Sequence, residues 1–371
     1  MLKDCLAGTR VLDLSQYLPG PFAAQILADL GAEVVKLEPP AGDPMRSLGP
    51  IDGDGLSAFY KLINAGKSVL RLDLKEAAGA EAFRTLVARA DVLIESFRPG
   101  ALAKRGFGPE ALRQLNPRLV HCALSGYGQT GPYALKAGHD IDYMALGGGL
   151  ATAGLGDQPI AAHPPTADYA SGMQAALAVL GALLRRVRTG EGAFLDVSLM
   201  ETVLAWQALN LTAALRPGHE PTRGAALLNG GAACYRLYRT ADSRFVALGA
   251  LEPKFWEAFC RAVGRDDWIA RQGEPLPQHS LIVEVVDLLG NQPLAYWEDR
   301  LAEVDCCFQA VLEPAEVAAH PQVAARGLLH HVGGPEPLVE VAFAALLDGA
   351  VPERRSPVAE VEIEALLAGW R

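Results

Sequence analysis

The chain has 371 residues, of which 50% are hydrophobic and 20% charged, which indicates an ordered protein long enough for two domains. Its formal net charge of −10 argues against nucleic acid and anionic membrane surfaces as partners. The six cysteines form no CxxC pair and no cluster with histidines, so neither a zinc site nor a disulfide framework is indicated.

The first half of the chain alternates predicted strands and helices. The first ten residues lack the apolar core of a signal peptide, so we expect a cytoplasmic location. Short apolar runs and helical spacing then predict elements as follows: strands at residues 9–13, 32–37, 67–72, 91–94 and 119–124, and helices at 22–30 and 77–90. This alternation indicates a parallel sheet covered by helices on both faces.

The second half contains a longer helix and a change in composition. Helical spacing predicts a helix over 170–186, followed by a strand over 193–198 and a helix over 200–214. The apolar stretch within the long helix is about half the length of a membrane span, so we expect a buried helix and no membrane partner. A segment rich in Gly, Pro and Asn at 216–231 then marks a domain boundary.

The region after this boundary has the pattern of a smaller α+β domain. Alternating apolar residues predict an antiparallel hairpin over 235–251. Helices are predicted at 253–263 and 277–289, and the C-terminal stretch returns to a strand-like segment and a last helix at 358–370.

Three acidic residues and one histidine lie where chemistry is expected. A glycine-rich loop, SGYGQTGPY, follows the fifth strand, lacks the spacing of a phosphate loop, and stands where open α/β sheets bind ligands. His139 and Asp140 follow it, and Asp168 begins the long helix. Asp168 is either a helix cap or an ionised functional group, and His139 either a structural donor or a base. Glu252, which follows a predicted strand, is by itself typical of the first turn of a helix.

Long segments of the chain resemble one enzyme family. LAGTRVLDLSQYLPGPFAAQILADLGAEVVKLEPPAGDPMR, INAGKSVLRLDLK and DVLIESFRPGALAKRGFGPE are similar to the family III CoA-transferases and the acyl-CoA racemases related to them. Three further blocks resemble the racemase branch. They are the GHDIDYMAL segment with His139, the Asp168 segment 29 residues later, and YRLYRTADSRFVALGALEPKFWEAF with Glu252.

The resemblance implies roles for these residues. In the racemase branch the histidine and the aspartate, here His139 and Asp168, are the two acid–base groups, and the glutamate, here Glu252, orients the histidine. The backbone N–H of Asp140 is the expected donor to the enolate oxygen. No metal and no cofactor is required, because CoA is part of the acyl-CoA substrate.

The resemblance leaves two other functions open. In the CoA-transferases the aspartate is a nucleophile that forms an acyl anhydride, and this histidine is usually absent. A CoA-binding protein without catalysis is the third possibility. Asp168 does not separate the two reactions, whereas His139 favours the racemase.

The resemblance also implies where CoA binds. We expect these residues to line its path: Gln16, Tyr17, Leu72, Asp73, Ser96, Phe97, Arg98, Lys104 and Arg105. Each basic residue among them also fits an ordinary surface charge. Many relatives carry an arginine after the second strand, where this chain has Glu38, Pro39 and Pro40, so Arg46 or Arg71 is expected to hold the nucleotide.

The implied architecture is α/β. A large Rossmann-like parallel-sheet domain takes residues 1–209, a small α+β domain takes 210–325, and residues 326–371 return to the large domain. Members of the family form interlocked homodimers, and the same assembly would bring Glu252 of one subunit to His139 and Asp168 of its partner.

Overall fold

The protein is described by a computed structural model that covers residues 2–218, 220–333 and 337–370. Its strands are β1 (Arg10–Asp13), β2 (Glu33–Glu38), β3 (Ser68–Arg71), β4 (Val92–Glu95), β5 (Val120–Ser125), β6 (Gly154–Leu155), β7 (Gln158–Pro159), β8 (Ala193–Ser198), β9 (Tyr235–Arg239), β10 (Phe245–Gly249), β11 (Phe308–Ala310), β12 (Leu329–Val332), β13 (Leu338–Val341) and β14 (Ala359–Glu360). Its helices are α1 (Pro19–Asp29), α2 (Ala58–Asn64), α3 (Ala77–Val87), α4 (Pro109–Leu115), α5 (Asp140–Leu146), α6 (Thr166–Thr189), α7 (Leu199–Ala205), α8 (Ala208–Ala214), α9 (Pro253–Val263), α10 (His279–Leu289), α11 (Leu294–Leu301), α12 (Pro314–Ala319), α13 (Pro321–Arg326) and α14 (Ile363–Gly369).

Seven strands of the described chain form one parallel sheet. Their order is β14-β3-β2-β1-β4-β5-β8, and each neighbouring pair is parallel. The chain moves outward from β1 to β3 on one side and from β4 to β8 on the other. The strand order therefore reverses between β1 and β4, which is where doubly wound sheets bind ligands. The predicted α/β class with a parallel sheet is confirmed.

The chain divides into two compact units. The larger unit comprises residues 1–147, 163–205 and 320–371, and the smaller comprises 148–162 and 206–319. Residues 148–162 thus belong to the smaller unit, although the sequence places them inside 1–209. In the larger unit the C-terminal segment adds β14 beside β3 and buries Trp370 in the core with Phe83 and Phe107.

The smaller unit contains a three-stranded antiparallel sheet in the order β11-β10-β9. The hairpin of β9 and β10 pairs Tyr235 with Gly249 and Arg239 with Phe245, close to the predicted hairpin at 235–251. Its core contains the buried Trp256, Trp268 and Trp297. Helix α9 begins with Pro253 and ends at Gly264, whose φ of 76° is left-handed and suits glycine.

Helix α6 is a core element of the larger unit. By length and composition it is long and apolar enough to cross a membrane, whereas its most apolar stretch, residues 175–184, is too short by itself. Half of its apolar window is buried. The helix packs closely on α1: a Cβ at Gly172 would lie 2.7 Å from the backbone oxygen of Pro19. These features are those of a buried helix in a folded domain.

Two predicted helices differ from the structure. The helix predicted over 200–214 is interrupted at residues 206 and 207, which separates α7 from α8. The helix predicted over 358–370 begins only at Ile363, because residues 359 and 360 pair with β3 as strand β14. Pairing with the edge strand β3 thus gives residues 359 and 360 a strand conformation, although their local sequence pattern is continuous with that of the helix.

Candidate functional site

His139 stands at the start of helix α5. The backbone of His139 is extended, and its N–H donates to the Asp142 carboxylate at 2.9 Å. Asp142, in the first turn, therefore fixes the start of the helix. Tyr143 donates its hydroxyl to the Gly138 carbonyl and packs edge-on against Tyr127. These contacts hold the end of the glycine-rich loop, and His139 with it, on a defined element.

Asp168 is the third residue of α6, in the first turn rather than at the cap. Its N–H donates to Oδ1 of Asp140 at 3.1 Å. The Asp140 carboxylate therefore joins the start of α5 to the start of α6, although the two residues are 28 positions apart. This side-chain link was missed from the sequence, which assigned Asp140 a role only through its backbone.

The ionisation of Asp168 is set by its surroundings. Burial, and then the negative charge of Asp140, raise the pKa of Asp168 to about 6, while His139 opposes the shift. A helix start by itself favours the ionised carboxylate, but burial outweighs it here. The result is a carboxyl group that exchanges its proton close to neutral pH, as an acid–base catalyst requires.

The backbone N–H of Asp140 lies in the first turn of α5 and has no acceptor among the described residues. The first N–H groups of a helix have no partner within the helix. This one is accordingly available to an oxygen that is not part of the protein.

His139 and Asp168 line one cavity of about 790 Å³ in the larger unit, a volume ordinary for a small-molecule site. His163 lies on the same wall and was not singled out from the sequence. Its signal was available, since it stands five residues before Asp168 in HPPTAD. The remaining wall is largely apolar and includes Phe22, Leu48, Phe59, Leu62, Ile63, Tyr169, Val339 and Val341.

A buried ionic network lies beneath the loop between β1 and α1. Lys67 pairs with Asp13 at 3.0 Å and Lys36 pairs with Asp43 at 2.8 Å, and all four side chains are fully buried. Burial alone would raise the pKa of Asp13, but the charges of Lys67 and Lys36 and the Ser15 hydroxyl hold it below its usual value. Lys36 also donates to the Ser15 carbonyl at 2.8 Å, which ties the network to the loop.

This network shapes the loop that carries Gln16 and Tyr17. Asp43 accepts from the N–H of Tyr17 at 3.3 Å and from that of Met45 at 2.9 Å. Tyr17 has a φ of 62°, which a non-glycine residue adopts only when its surroundings impose it. Gln16 and Tyr17 consequently line different cavities, Tyr17 the one with His139 and Asp168.

Of the residues predicted to bind CoA, Gln16 and Ser96 follow the two strands at the strand-order reversal, β1 and β4, whereas Leu72 and Asp73 follow β3. The N–H of Gln16 donates to Oγ of Ser96 at 3.1 Å, joining the loops after β1 and β4. A cavity of about 90 Å³ is lined by Gln16, Leu72, Asp73, Phe97 and Arg105, among others. A more open cavity of about 580 Å³ is lined by Arg98, Lys104 and Arg105 with Pro99, Ala101 and Leu135. Their role in binding CoA stays a prediction.

The two arginines expected to hold the nucleotide are already paired. Arg46 lies 2.7 Å from Glu38 and 3.2 Å from Glu360. Arg71 lies 3.1 Å from the same oxygen of Glu360. An anionic group arriving at either arginine would therefore compete with an existing carboxylate.

Glu252 lies in the smaller unit, at the residue before α9. It is exposed, and its side chain makes no capping hydrogen bond to that helix. Glu252 therefore lies one residue before the first turn in which the sequence pattern places it, and its carboxylate makes no bond to the helix it precedes. Among the described residues, no group of three or more His, Cys, Asp or Glu side chains could hold a metal ion.

Comparison with known proteins gives one consistent family. Residues 6–359 match the model of CoA-transferase family III. The chain is 36% identical to human alpha-methylacyl-CoA racemase over 330 residues, covering 87% of this chain and 81% of that one. It is 38% identical to the succinate–glutarate CoA-transferase of Agrobacterium fabrum over 349 residues, covering 88% and 84%. A CAIB/BAIF family protein from Brucella suis has the same fold, with a TM-score of 0.84, 29% identity and 99% of both chains covered.

Proposed function

The chain belongs to CoA-transferase family III, and from this premise we propose that it is an acyl-CoA racemase that interconverts (R)- and (S)-2-methylacyl-CoA thioesters. The observation that carries the proposal is the pairing of His139 with Asp168 in one cavity. Asp140 joins their two helix starts. A histidine and a carboxyl group with a pKa of about 6 are both suited to proton transfer near neutral pH.

In the proposed reaction one proton leaves the α-carbon of the thioester and another proton is added to the same carbon. The deprotonated member of the pair removes the α-proton, and the electrons of the C–H bond pass through the α-carbon to the thioester oxygen. The protonated member then delivers a proton to the opposite face of the enolate, which inverts the α-carbon. The pair exchanges roles for the reverse direction.

The enolate oxygen requires a hydrogen-bond donor while it carries negative charge. We assign this role to the backbone N–H of Asp140, which has no acceptor among the described residues. In this proposal Asp140 has two functions: its N–H stabilises the enolate, and its carboxylate keeps Asp168 in place and raises its pKa.

Assembly and CoA binding complete the proposal. CoA would follow the residues around Gln16, Ser96 and Arg98, and the protein would act as an interlocked homodimer. Glu252 of the partner subunit would then orient His139, which is consistent with a carboxylate that is exposed and does not cap its own helix.

A second candidate function is CoA transfer between carboxylic acids. It is favoured by the 38% identity to a succinate–glutarate CoA-transferase and by the presence of Asp168 in the cavity. In that reaction the Asp168 carboxylate attacks the thioester carbonyl, CoA thiolate leaves, and a mixed anhydride forms. The thiolate then attacks the Asp168 carbonyl of this anhydride, which releases the first carboxylic acid and leaves a thioester between Asp168 and CoA. The acceptor carboxylate attacks that thioester, the thiolate leaves, and a second anhydride forms. The thiolate finally attacks the acyl carbonyl of the acceptor, which gives the new acyl-CoA and frees the Asp168 carboxylate. His139 has no assigned step in this scheme.

The two functions are separated by supplying one enantiomer of a 2-methylacyl-CoA together with an isotopically labelled free acid. The racemase inverts the α-carbon and leaves the label in the free acid, whereas the transferase moves the label into the thioester. The His139→Ala and Asp168→Ala variants should each stop inversion. Inversion that persists unchanged in both variants would contradict the two-base assignment.

A further inference from the structure

The wall of the cavity beyond His139 and Asp168 has a distinct chemical character. It is built by apolar side chains from α1, α2, β13 and the segment before α2. Two of them, Leu48 and Phe59, are 53% and 46% exposed, which leaves large apolar surfaces open toward the cavity. Such surfaces lower the free energy when an apolar group covers them.

Among the described residues, no lysine or arginine on this wall is free to pair with an anionic ligand. Apart from the histidines, the one cation among the described lining residues is Arg355. Its Nε and Nη2 atoms pair with both oxygens of Asp29 at 2.6 and 2.7 Å. Its Nη1 atom donates to Val341 at 2.9 Å and lies 3.3 Å from Glu340. Arg355 is thus engaged by two carboxylates, and Glu340 adds a negative charge to the wall.

The loop between β1 and α1 indicates which part of the substrate enters this cavity. Gln16 faces the smaller cavity formed with Leu72, Asp73 and Phe97, and Tyr17 faces the cavity with Asp168. In the proposed function the pantetheine approaches along Gln16, so the thioester lies at this loop. The acyl chain then extends past Asp168 toward Leu48 and Phe59.

We infer that the acyl group of the substrate is an uncharged, apolar chain of medium length or longer, and that acyl groups with a second carboxylate are rejected. This inference rests on the proposed function for the direction of the thioester. An ω-carboxylate near Leu48 and Phe59 would lose its water and meet apolar carbon and Glu340 without a free lysine or arginine to pair with. An apolar chain would gain a constant increment for each methylene group it buries.

Binding measurements test the inference without depending on the reaction. Calorimetric titration of the full chain with butyryl-, hexanoyl-, octanoyl- and decanoyl-CoA should give a Kd that falls about threefold to fourfold per added methylene group until the cavity is filled. Glutaryl- and adipyl-CoA should bind at least about tenfold more weakly than the monocarboxylic thioesters of equal length. A Kd that does not change with chain length, or equal binding of the dicarboxylic thioesters, would overturn the inference.

Two variants locate the effect on the wall. Phe59→Arg and Leu48→Arg should each flatten the dependence on chain length and improve glutaryl-CoA binding relative to hexanoyl-CoA. Leu115→Arg, at an exposed leucine on α4 outside the cavity, is the matched control and should leave both unchanged. If neither cavity variant alters the selectivity while both bind CoA normally, the assignment of this wall to the acyl chain is wrong.

The acyl preference and the proposed racemisation can each fail without the other. If the chain-length series holds but no acyl-CoA is racemised, the racemase proposal fails and the acyl preference stands. If racemisation is observed and is fastest with 2-methylglutaryl-CoA, the racemase stands and the acyl preference fails.

Discussion

The raised pKa of Asp168 makes a quantitative prediction about stability. The pKa is about 6 in the folded protein against 3.8 for the unperturbed group. A carboxyl group with a raised pKa contributes its full stability below the unfolded value and loses that contribution as the pH rises through the folded value. The cost of ionising Asp168 should therefore appear between about pH 4 and pH 6. With 1.36 kcal/mol per pH unit, it amounts to roughly 3 kcal/mol.

Asp168→Asn removes this cost because asparagine does not ionise. The stability of the variant relative to wild type should therefore increase by roughly 2.5 kcal/mol when the pH is raised from 4 to 7.5, since a small part of the cost is already present at pH 4. The difference between two pH values cancels the pH-independent effects of the substitution. Urea denaturation followed by far-UV circular dichroism, at both pH values and fixed ionic strength, measures it.

The control is Glu110→Gln, at an exposed residue whose side-chain oxygen accepts from Gln114 and can still accept as an amide. Its stability relative to wild type should change little over the same pH range. If the Asp168→Asn difference is equally flat, Asp168 is not held in a desolvated site, and its assignment as a neutral-pH acid–base group loses its physical basis.

Three further predictions concern its neighbours. Asp140→Asn keeps an acceptor for the Asp168 N–H but removes the charge, so the acidic limb of the kcat/KM pH profile should move down by about 0.5–1 pH unit. Asp140→Ala should in addition lower kcat. An unmoved acidic limb in both variants contradicts the effect of the Asp140 charge on the pKa of Asp168. Asp13→Asn leaves Lys67 and Lys36 short of a counter-charge and should lower the free energy of unfolding, measured by urea denaturation, by roughly 3–5 kcal/mol. The double variant Asp13→Leu with Lys67→Met should recover most of that loss. An Asp13→Asn variant as stable as wild type refutes this prediction. Glu252→Gln should lower the rate of inversion on the order of 100-fold with unchanged acyl-CoA affinity. Glu257→Gln, inside the helix α9 that Glu252 precedes, should have no effect. Equal activity of both variants removes Glu252 from the site.

Much of the larger unit could be predicted from local sequence. The strands β1 to β5 are short apolar runs, and their alternation with helices dictates a parallel sheet with few alternative topologies. Because Gln16 and Tyr17 follow β1, a parallel sheet places them at its carboxyl edge, but the direction of Tyr17 depends on its bond to Asp43. By contrast, β14 could not be identified, because two residues carry no periodicity and their strand conformation comes from pairing with β3.

The site shows the same division between local and tertiary information. His139 and Asp168 were identified by type, order and family resemblance. The bond from Asp168 to Asp140 is a tertiary contact between two helix starts, which spacing along the chain does not reveal. The buried pairs of Lys36 with Asp43 and Lys67 with Asp13 did leave a signal. Lys36 interrupts the apolar run of β2 (EVVKLE), and a lysine at a buried strand position requires a partner.

The central claim is that one proton leaves the α-carbon and another returns from the opposite face. Incubating the wild-type protein in deuterium oxide with a single enantiomer of a 2-methylacyl-CoA, without any acceptor acid, measures this most directly. The proposal predicts that deuterium enters the α-position and that the two enantiomers approach equal amounts by chiral chromatography. A thioester that keeps its α-hydrogen and its configuration, in a protein that still transfers CoA when a carboxylic acid is added, would contradict it.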